Sequence, residues 1–410
     1  VSATLAAPEV AEALDVAVPD WFDADRFAAI RQRDDNRTDG LIERLNRYSF
    51  INPLDDVDSD TLVYAVHPAE RDTLQRQFLA KDPEAFQAAH LNALTYEEQH
   101  PDINPFAHAQ TMLYHLLLVD GDAGVDELIF LFRSYQNDRQ LAAMGRILQT
   151  AVSTRHLLEQ QQDDAFLTRF NNLLDQMQAR LAQFRGQWDK SLGLLNDLIS
   201  RPTLSDRLRP YVSRALGYSL LQTGSYVESI DRFRQALDQF NTLAGSEDAY
   251  GNMEAEAAYT HIALGNAHMQ LAISARGGFR SVDLTRGSWL GRASDFVGFL
   301  ISFPILIYLS FYFGLSVWRP AFWPVLRQMD WIIARLFAMG ASHYKQADPL
   351  LEKHGTPAEW VAADERRAFL YLAMGNVEEA RKLFVRLLDE IEAPLSRYRQ
   401  ATVRVGMAET

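Results

Sequence analysis

Along residues 61–160 the apolar positions return at three- and four-residue intervals, the period of a helix that buries one face. Short polar stretches punctuate them, such as His100–Pro105 and Asp120–Gly124. No segment shows sustained alternation of apolar and polar residues, and no strand–helix–strand rhythm appears, so the pattern predicts an all-α fold. Upstream, Trp21–Asn52 is charged and weakly amphipathic, and Ile51–Asp60 (INPLDDVDSD) reads as a turn-rich break. One stretch departs from all of this. Phe296–Trp318 (FVGFLISFPILIYLSFYFGLSVW) holds no charged residue between Asp295 and Arg319.

Beyond about residue 170 the helices acquire a longer period. Arg214–Leu237 places Leu216, Gly217, Gly224, Tyr226, Phe233 and Ala236 at spacings that suit two antiparallel helices. Small Gly217 and Ala236 permit close approach, Gly224 turns the chain, and Tyr226 and Phe233 fill the seam. The preceding unit carries Ala179, Gly186, Trp188, Ser191, Leu195 and Pro202, with Gln178 at a usually apolar place. A third begins at Leu264 and Gly265 and loses the pattern in the loop that follows. After the apolar run, Trp331, Tyr344, Ala347 and Leu351 align as one unit, with Ser342 at its turn, and Ala368, Tyr371, Gly375, Ala380, Phe384 and Leu387 as another. These units, over residues 171–272 and 328–394, resemble the tetratricopeptide repeat family, although Arg335 stands where that family has a small residue. The expected fold is an all-α, helical-hairpin repeat solenoid with one long apolar, membrane-inserted helix. The domain reading is an acidic segment 1–60, a helical region 61–170, repeats 171–272, an arginine-flanked insert 273–327 and further repeats 328–410.

As a helix the 23 residues of Phe296–Trp318 would reach roughly 35 Å, enough to cross a hydrocarbon core that needs about 20 residues. Trp289, Trp318 and Trp323 flank the run, with Arg286, Arg292 and Arg319 just outside, as aromatic belts and snorkelling arginines require. Phe296, Phe299, Phe303, Ile307, Phe311 and Trp318 are the expected lipid-facing side chains. Pro304 and Gly314 are compatible with a membrane helix. The alternative is a helix buried against a partner protein. A single crossing would put the later repeats across the membrane from the earlier ones, whereas a kink at Pro304 with re-entrant insertion would keep them together; the sequence leaves both open. The arginine count on the two flanks leans slightly towards a cytoplasmic first block.

Charge supports the same division. Residues 1–60 hold 14 Asp or Glu against 6 Arg, whereas residues 273–335 hold 7 Arg and 3 Asp with no Lys or Glu. The net charge of −14 argues against general nucleic-acid binding, which rests on neutralising phosphates. The absence of cysteine removes disulfides, thiolate metal sites and thiol nucleophiles. The opening VSATLAAPEVAEALDVAVPD has no basic region followed by an apolar core and is not a visible secretory signal.

No phosphate loop, nucleophile elbow or zinc-protease motif is present. His108/His115 and His261/His268 are each seven residues apart, about 10 Å along a helix, too far to share a metal ion. Asp120–Glu127 resembles a calcium loop but has Val125 and Leu131 where that loop needs Gly and a bidentate Glu, so a helix–helix turn with an acidic N-cap is expected. Asp55 and Asp56 read as solvated turn residues. No enzyme activity, cofactor or metal is expected.

The repeat resemblance implies a concave face lined by the first helix of each unit. Here those positions are Tyr211, Arg214, Tyr218 and Gln222, then Tyr259, Ile262, Asn266 and Gln270. Tyrosine and arginine carry interface energy, and Asn and Gln can bond an extended backbone; the same residues would serve equally to pack against neighbouring helices. The Lys/Asn clamp with which some family members grip a terminal carboxylate is not reproduced. The functional expectation is a non-catalytic, membrane-associated scaffold or adaptor whose partners are other proteins and a lipid bilayer. A soluble regulatory subunit, its apolar helix buried against a partner, is the alternative.

Overall fold

The computed structural model describes residues 13–31, 49–54, 63–101, 104–243, 247–248, 251–280, 329–354 and 357–390. Among them the protein is all-helical apart from two minimal hairpins. It divides into two compact units, residues 1–185 and 186–410.

Unit 1 contains α1 (Ala24–Arg31), β1 (Ile51–Leu54), β2 (Val63–Val66), α2 (Pro68–Lys81), α3 (Pro83–Gln99), α4 (Pro105–Val119), α5 (Gly121–Asn137), α6 (Leu141–Gln161) and α7 (Asp164–Phe184). β1 and β2 are antiparallel, with Ile51 opposite Val66, and Phe22 bridges to Tyr64. The segment read as a turn-rich break therefore opens with a strand. The four-residue pieces are too short for alternation to rise above the surrounding turn residues. Helix starts follow the local chemistry: Asp82, Asn104, Asp120 and Asp163 each accept a hydrogen bond from a first-turn amide. Pro68, Pro83 and Pro105 occupy opening positions where no amide hydrogen is needed. Asp120 is thus the expected acidic cap, bonded to the Ala123 amide at 3.1 Å. Gly124 lies against α4 so closely that a Cβ there would fall 2.6 Å from the Leu117 backbone. α4 packs on α3, α5 and α6, and α1 rests on α3.

Unit 2 contains α8 (Trp188–Ser200), α9 (Arg209–Gln222), α10 (Tyr226–Thr242), the two-residue strands β3 (Glu247–Asp248) and β4 (Gly251–Asn252), α11 (Met253–Arg280), α12 (Met329–His354), α13 (Pro357–Ala373) and α14 (Val377–Glu390). Gly224 and Gly375, at φ 85° and 81°, end α9 and α13 in the left-handed conformation. In each, the next amide reaches back five residues, Ser225 to Leu220 and Asn376 to Tyr371, which satisfies a terminal carbonyl.

Four second helices bury the same spacing of residues: Ser191, Leu195 and Leu198; Ser229, Phe233 and Ala236; Gly340, Tyr344 and Ala347; Ala380, Phe384 and Leu387. Opposite them stand small residues. A Cβ at Gly217 would lie 2.8 Å from the Phe233 ring, and one at Gly265 would lie 2.8 Å from Tyr344. Ala368 shares a core with Ala380 and Phe384.

The sequence reading of Trp331–Leu351 as a self-contained helix–turn–helix is corrected by this arrangement. Residues 329–354 form one continuous helix with no turn at Ser342, and that helix is the partner of α11. The stretch between Arg280 and Met329 had split one helix pair into what looked like two partial units. Arg335 accordingly belongs to a second helix, where it is exposed and no small residue is required.

Candidate partner-binding face

The first helices α9, α11 and α13 run parallel. Tyr211 meets Met253 and Arg214 meets Glu256 between α9 and α11, and Arg276 bonds the Ala373 carbonyl between α11 and α13. The residues expected to line a groove fall on this set of helices, but in two different settings.

Tyr211 and Arg214 are held inside the packing. Tyr211 is 8% exposed, stands edge-on to Phe240 at 5.1 Å and points its hydroxyl at the Met253 sulfur, 3.8 Å away. The Arg214 guanidinium lies over the Phe240 and Tyr211 rings, pairs with the Glu256 carboxylate at 2.5 Å and donates to the Glu256 carbonyl at 3.1 Å. Burial opposes its charge, but Glu256 together with the Tyr218 and Tyr211 hydroxyls outweighs it and keeps the pKa above the ordinary value. Ile262 is buried as well.

Tyr218, Tyr259, Asn266 and Gln270 are half-buried, and Gln222 is exposed at the end of α9. Tyr218 stands edge-on to Phe233 at 5.0 Å and hydrogen-bonds Arg366 of α13. Arg366 is a member of this face that the sequence did not single out. Its charge is opposed by burial and favoured by the hydroxyls of Tyr218 and Tyr344, which raise its pKa. The Tyr344 hydroxyl is buried without a hydrogen-bond partner, and burial raises its pKa too.

Behind the face lies a histidine stack. His343 sits between His261 and His268, with ring centroids 5.5 and 5.3 Å away, and its Nδ1 is 3.2 Å from that of His261. Burial lowers all three pKa values, His268 to about 4 and His343 to about 3, the latter also through repulsion from His268, His261 and Arg234. No group of three or more potential ligands among the described residues is arranged to hold a metal ion.

Unit 1 carries its own buried polar groups. Arg26 is ion-paired with Glu97, both nearly inaccessible, and stacks on Trp21 at 4.1 Å; burial lowers its pKa. His90 and His115 share one hydrogen bond, Nδ1 to Nδ1 at 2.9 Å, so one ring donates and the other accepts. Burial drives both well below the usual histidine value, with repulsion from His115 and Arg71 adding at His90 and from Arg26 and Arg71 at His115. Arg71 donates to the Ala17 and Val18 carbonyls, each at 3.0 Å, and pairs with Asp20. These contacts pin residues 13–20 to α2.

Phe296, Phe299, Phe303, Ile307, Phe311 and Trp318 lie outside the described residues. Among the described residues no helix is long and apolar enough to cross a membrane. No protein-family model matches this chain, and no curated protein matches it.

Proposed function

We propose that the chain is a non-catalytic, membrane-associated scaffold built on tetratricopeptide-like helical repeats, with other proteins as partners. The observation that carries this reading is the recurrence of one seam, Gly217 on Phe233, Gly265 on Tyr344 and Ala368 beside Phe384, beneath parallel first helices. Such an array leaves one face of α9, α11 and α13 available along its length, the geometry that repeat proteins use to hold extended segments or helices. Tyr218, Tyr259, Asn266, Gln270 and Arg366 are the contact residues on that face, while Tyr211 and Arg214 hold α9 to α10 and α11. The uncharged run Phe296–Trp318 supplies the membrane association.

Fractionation tests the reading. The full chain should pellet with membranes and resist carbonate extraction. Replacing Phe296–Trp318 by a flexible Gly/Ser linker should release it while unit 2 still melts cooperatively. A detergent-free soluble monomer of the intact chain refutes the membrane assignment. Unfolding of unit 2 on removal of the run places that segment in a protein core instead. For the binding face, Tyr218→Ala with Arg366→Ala should weaken capture of a native partner without loss of helicity, and unchanged capture moves the interface elsewhere.

A further inference from the structure

The pairing of α11 with α12 restricts how the intervening stretch can meet a bilayer. Their contacts run in antiparallel register from one end to the other. Asn252 and Glu254 meet His354, with Lys353 also on Glu254, His261 meets His343, and Gly265 meets Gly340 and Tyr344. The ideal Cβ of Gly340 is 3.8 Å from the Cβ of His268. From that contact Arg280 lies about 18 Å further along α11 and Met329 about 17 Å further along α12, so the two helices end level. A single crossing would place these helices on opposite sides of a hydrocarbon core about 30 Å thick. That is incompatible with side chains in van der Waals contact.

The edge of unit 2 at which α11 ends and α12 begins is also its apolar edge. Ile273, in the last two turns of α11, and Trp331, in the first turn of α12, are 40% and 50% exposed. Arg276 ties this edge to the end of α13 through the Ala373 carbonyl, and the next turn presents Met374 and Val377, 43% and 42% exposed. Of the large apolar side chains exposed on the described part of unit 2, Val385 alone lies elsewhere. The turns on this edge, Thr223–Ser225 and Met374–Asn376, contain no charged residue. At the opposite edge stand Glu254 with Lys353 and His354, and exposed Asp206 beside half-buried Arg209.

Resting on the membrane reading above, we propose that unit 2 sits on one side of a lipid bilayer with the edge bearing Ile273, Trp331, Met374 and Val377 against it. α11 and α12 lie on the same side, with Arg280 and Met329 both at the edge that faces it. The occupant of this edge is the lipid surface itself: exposed apolar side chains, uncharged turns and the point of departure of the uncharged run coincide there.

The test uses full-length chain synthesised in the presence of liposomes of phosphatidylcholine with a minor fraction of phosphatidylglycerol. Because the chain lacks cysteine, Asp238→Cys and Lys345→Cys place one exposed thiol before and one after the run, both away from the edge. Both variants should float with the liposomes and react fully with a membrane-impermeant maleimide before detergent is added. An environment-sensitive maleimide dye on Met374→Cys should shift its emission to the blue on flotation, while the same dye on Val385→Cys should not. Flotation with Lys345→Cys protected until detergent overturns the one-sided arrangement and leaves the membrane reading standing. An equal shift at Val385→Cys, or none at Met374→Cys in a chain that melts normally, overturns the assignment of the edge. A wild-type chain that does not float overturns both readings.

Discussion

Gly265 and Tyr344, separated in sequence by the entire apolar run, meet at the crossing of α11 and α12, where a Cβ on the glycine would lie 2.8 Å from the tyrosine ring. Their relationship repeats that of Gly217 and Phe233, which are joined by a three-residue turn. Gly265→Leu should therefore destabilise unit 2 by about 1–3 kcal/mol through overpacking. In a double-mutant cycle Tyr344→Ala should restore part of that loss, since the inserted side chain then occupies the vacated space. Strictly additive effects in urea melts would mean that the two residues do not share a seam.

Two glycines in unit 2 predict opposite outcomes for the same substitution. Gly217→Ala forces a methyl group into the Phe233 ring and should cost about 1–3 kcal/mol. Gly193, exposed within α8, has nothing within 4 Å of its ideal Cβ, so Gly193→Ala should stabilise by about 0.5–1 kcal/mol through helix propensity. Thermal melts that shift in the same direction for both variants would refute the seam register.

The ion pair of Arg26 with Glu97 is buried on both sides. Glu97→Gln leaves the guanidinium charged and uncompensated, and unit 1 should lose about 3–5 kcal/mol. The partner change Arg26→Met made together with Glu97→Gln should recover much of the loss. Denaturant midpoints of the wild type and the two variants decide this, and an unperturbed Glu97→Gln would show that water reaches the pair.

A pH dependence follows from the histidine stack. His268 and His343 gain their protons in the fold only near pH 4 and 3, whereas the unfolded chain protonates near 6.5. Their contribution is fully present above about pH 6.5 and is lost as pH falls towards 4, because the unfolded state then binds protons that the fold excludes. Wild-type stability should fall with a slope of roughly 1.4 kcal/mol per pH unit per histidine across that window. His343→Leu should flatten the slope by about one such increment. Parallel stability curves for wild type and variant between pH 7 and pH 4 would contradict this.

Local signals made most of the helical architecture legible. The small residue, glycine turn and aromatic at fixed spacing marked α9 with α10 and α13 with α14, and Asp120 announced a helix start. Distance in sequence defeated the rest. Tyr344 completes the seam begun at Gly265, but the long intervening stretch displaces it from the expected offset. Arg366 joins Tyr218 through two helices that sequence spacing does not relate. Glu97 is indistinguishable, as a residue type, from the solvated glutamate beside it. Tyr211 and Arg214 have the composition of interface residues, yet in a stack of helices both flanks of a first helix are covered, and residue type does not say which flank a side chain joins.

The split between α11 and α12 also orders events in time. A nascent chain that has released α11 must be extended through His354 before α12 is complete. At roughly 5–20 residues per second that interval is about 4–15 s. Throughout it Gly265 and His268 lack the helix that covers them, and Phe296–Trp318 is completed well before α12. On the membrane reading proposed above, a bilayer meets the run before α12 has closed onto α11, and that closure then holds both helices on one side.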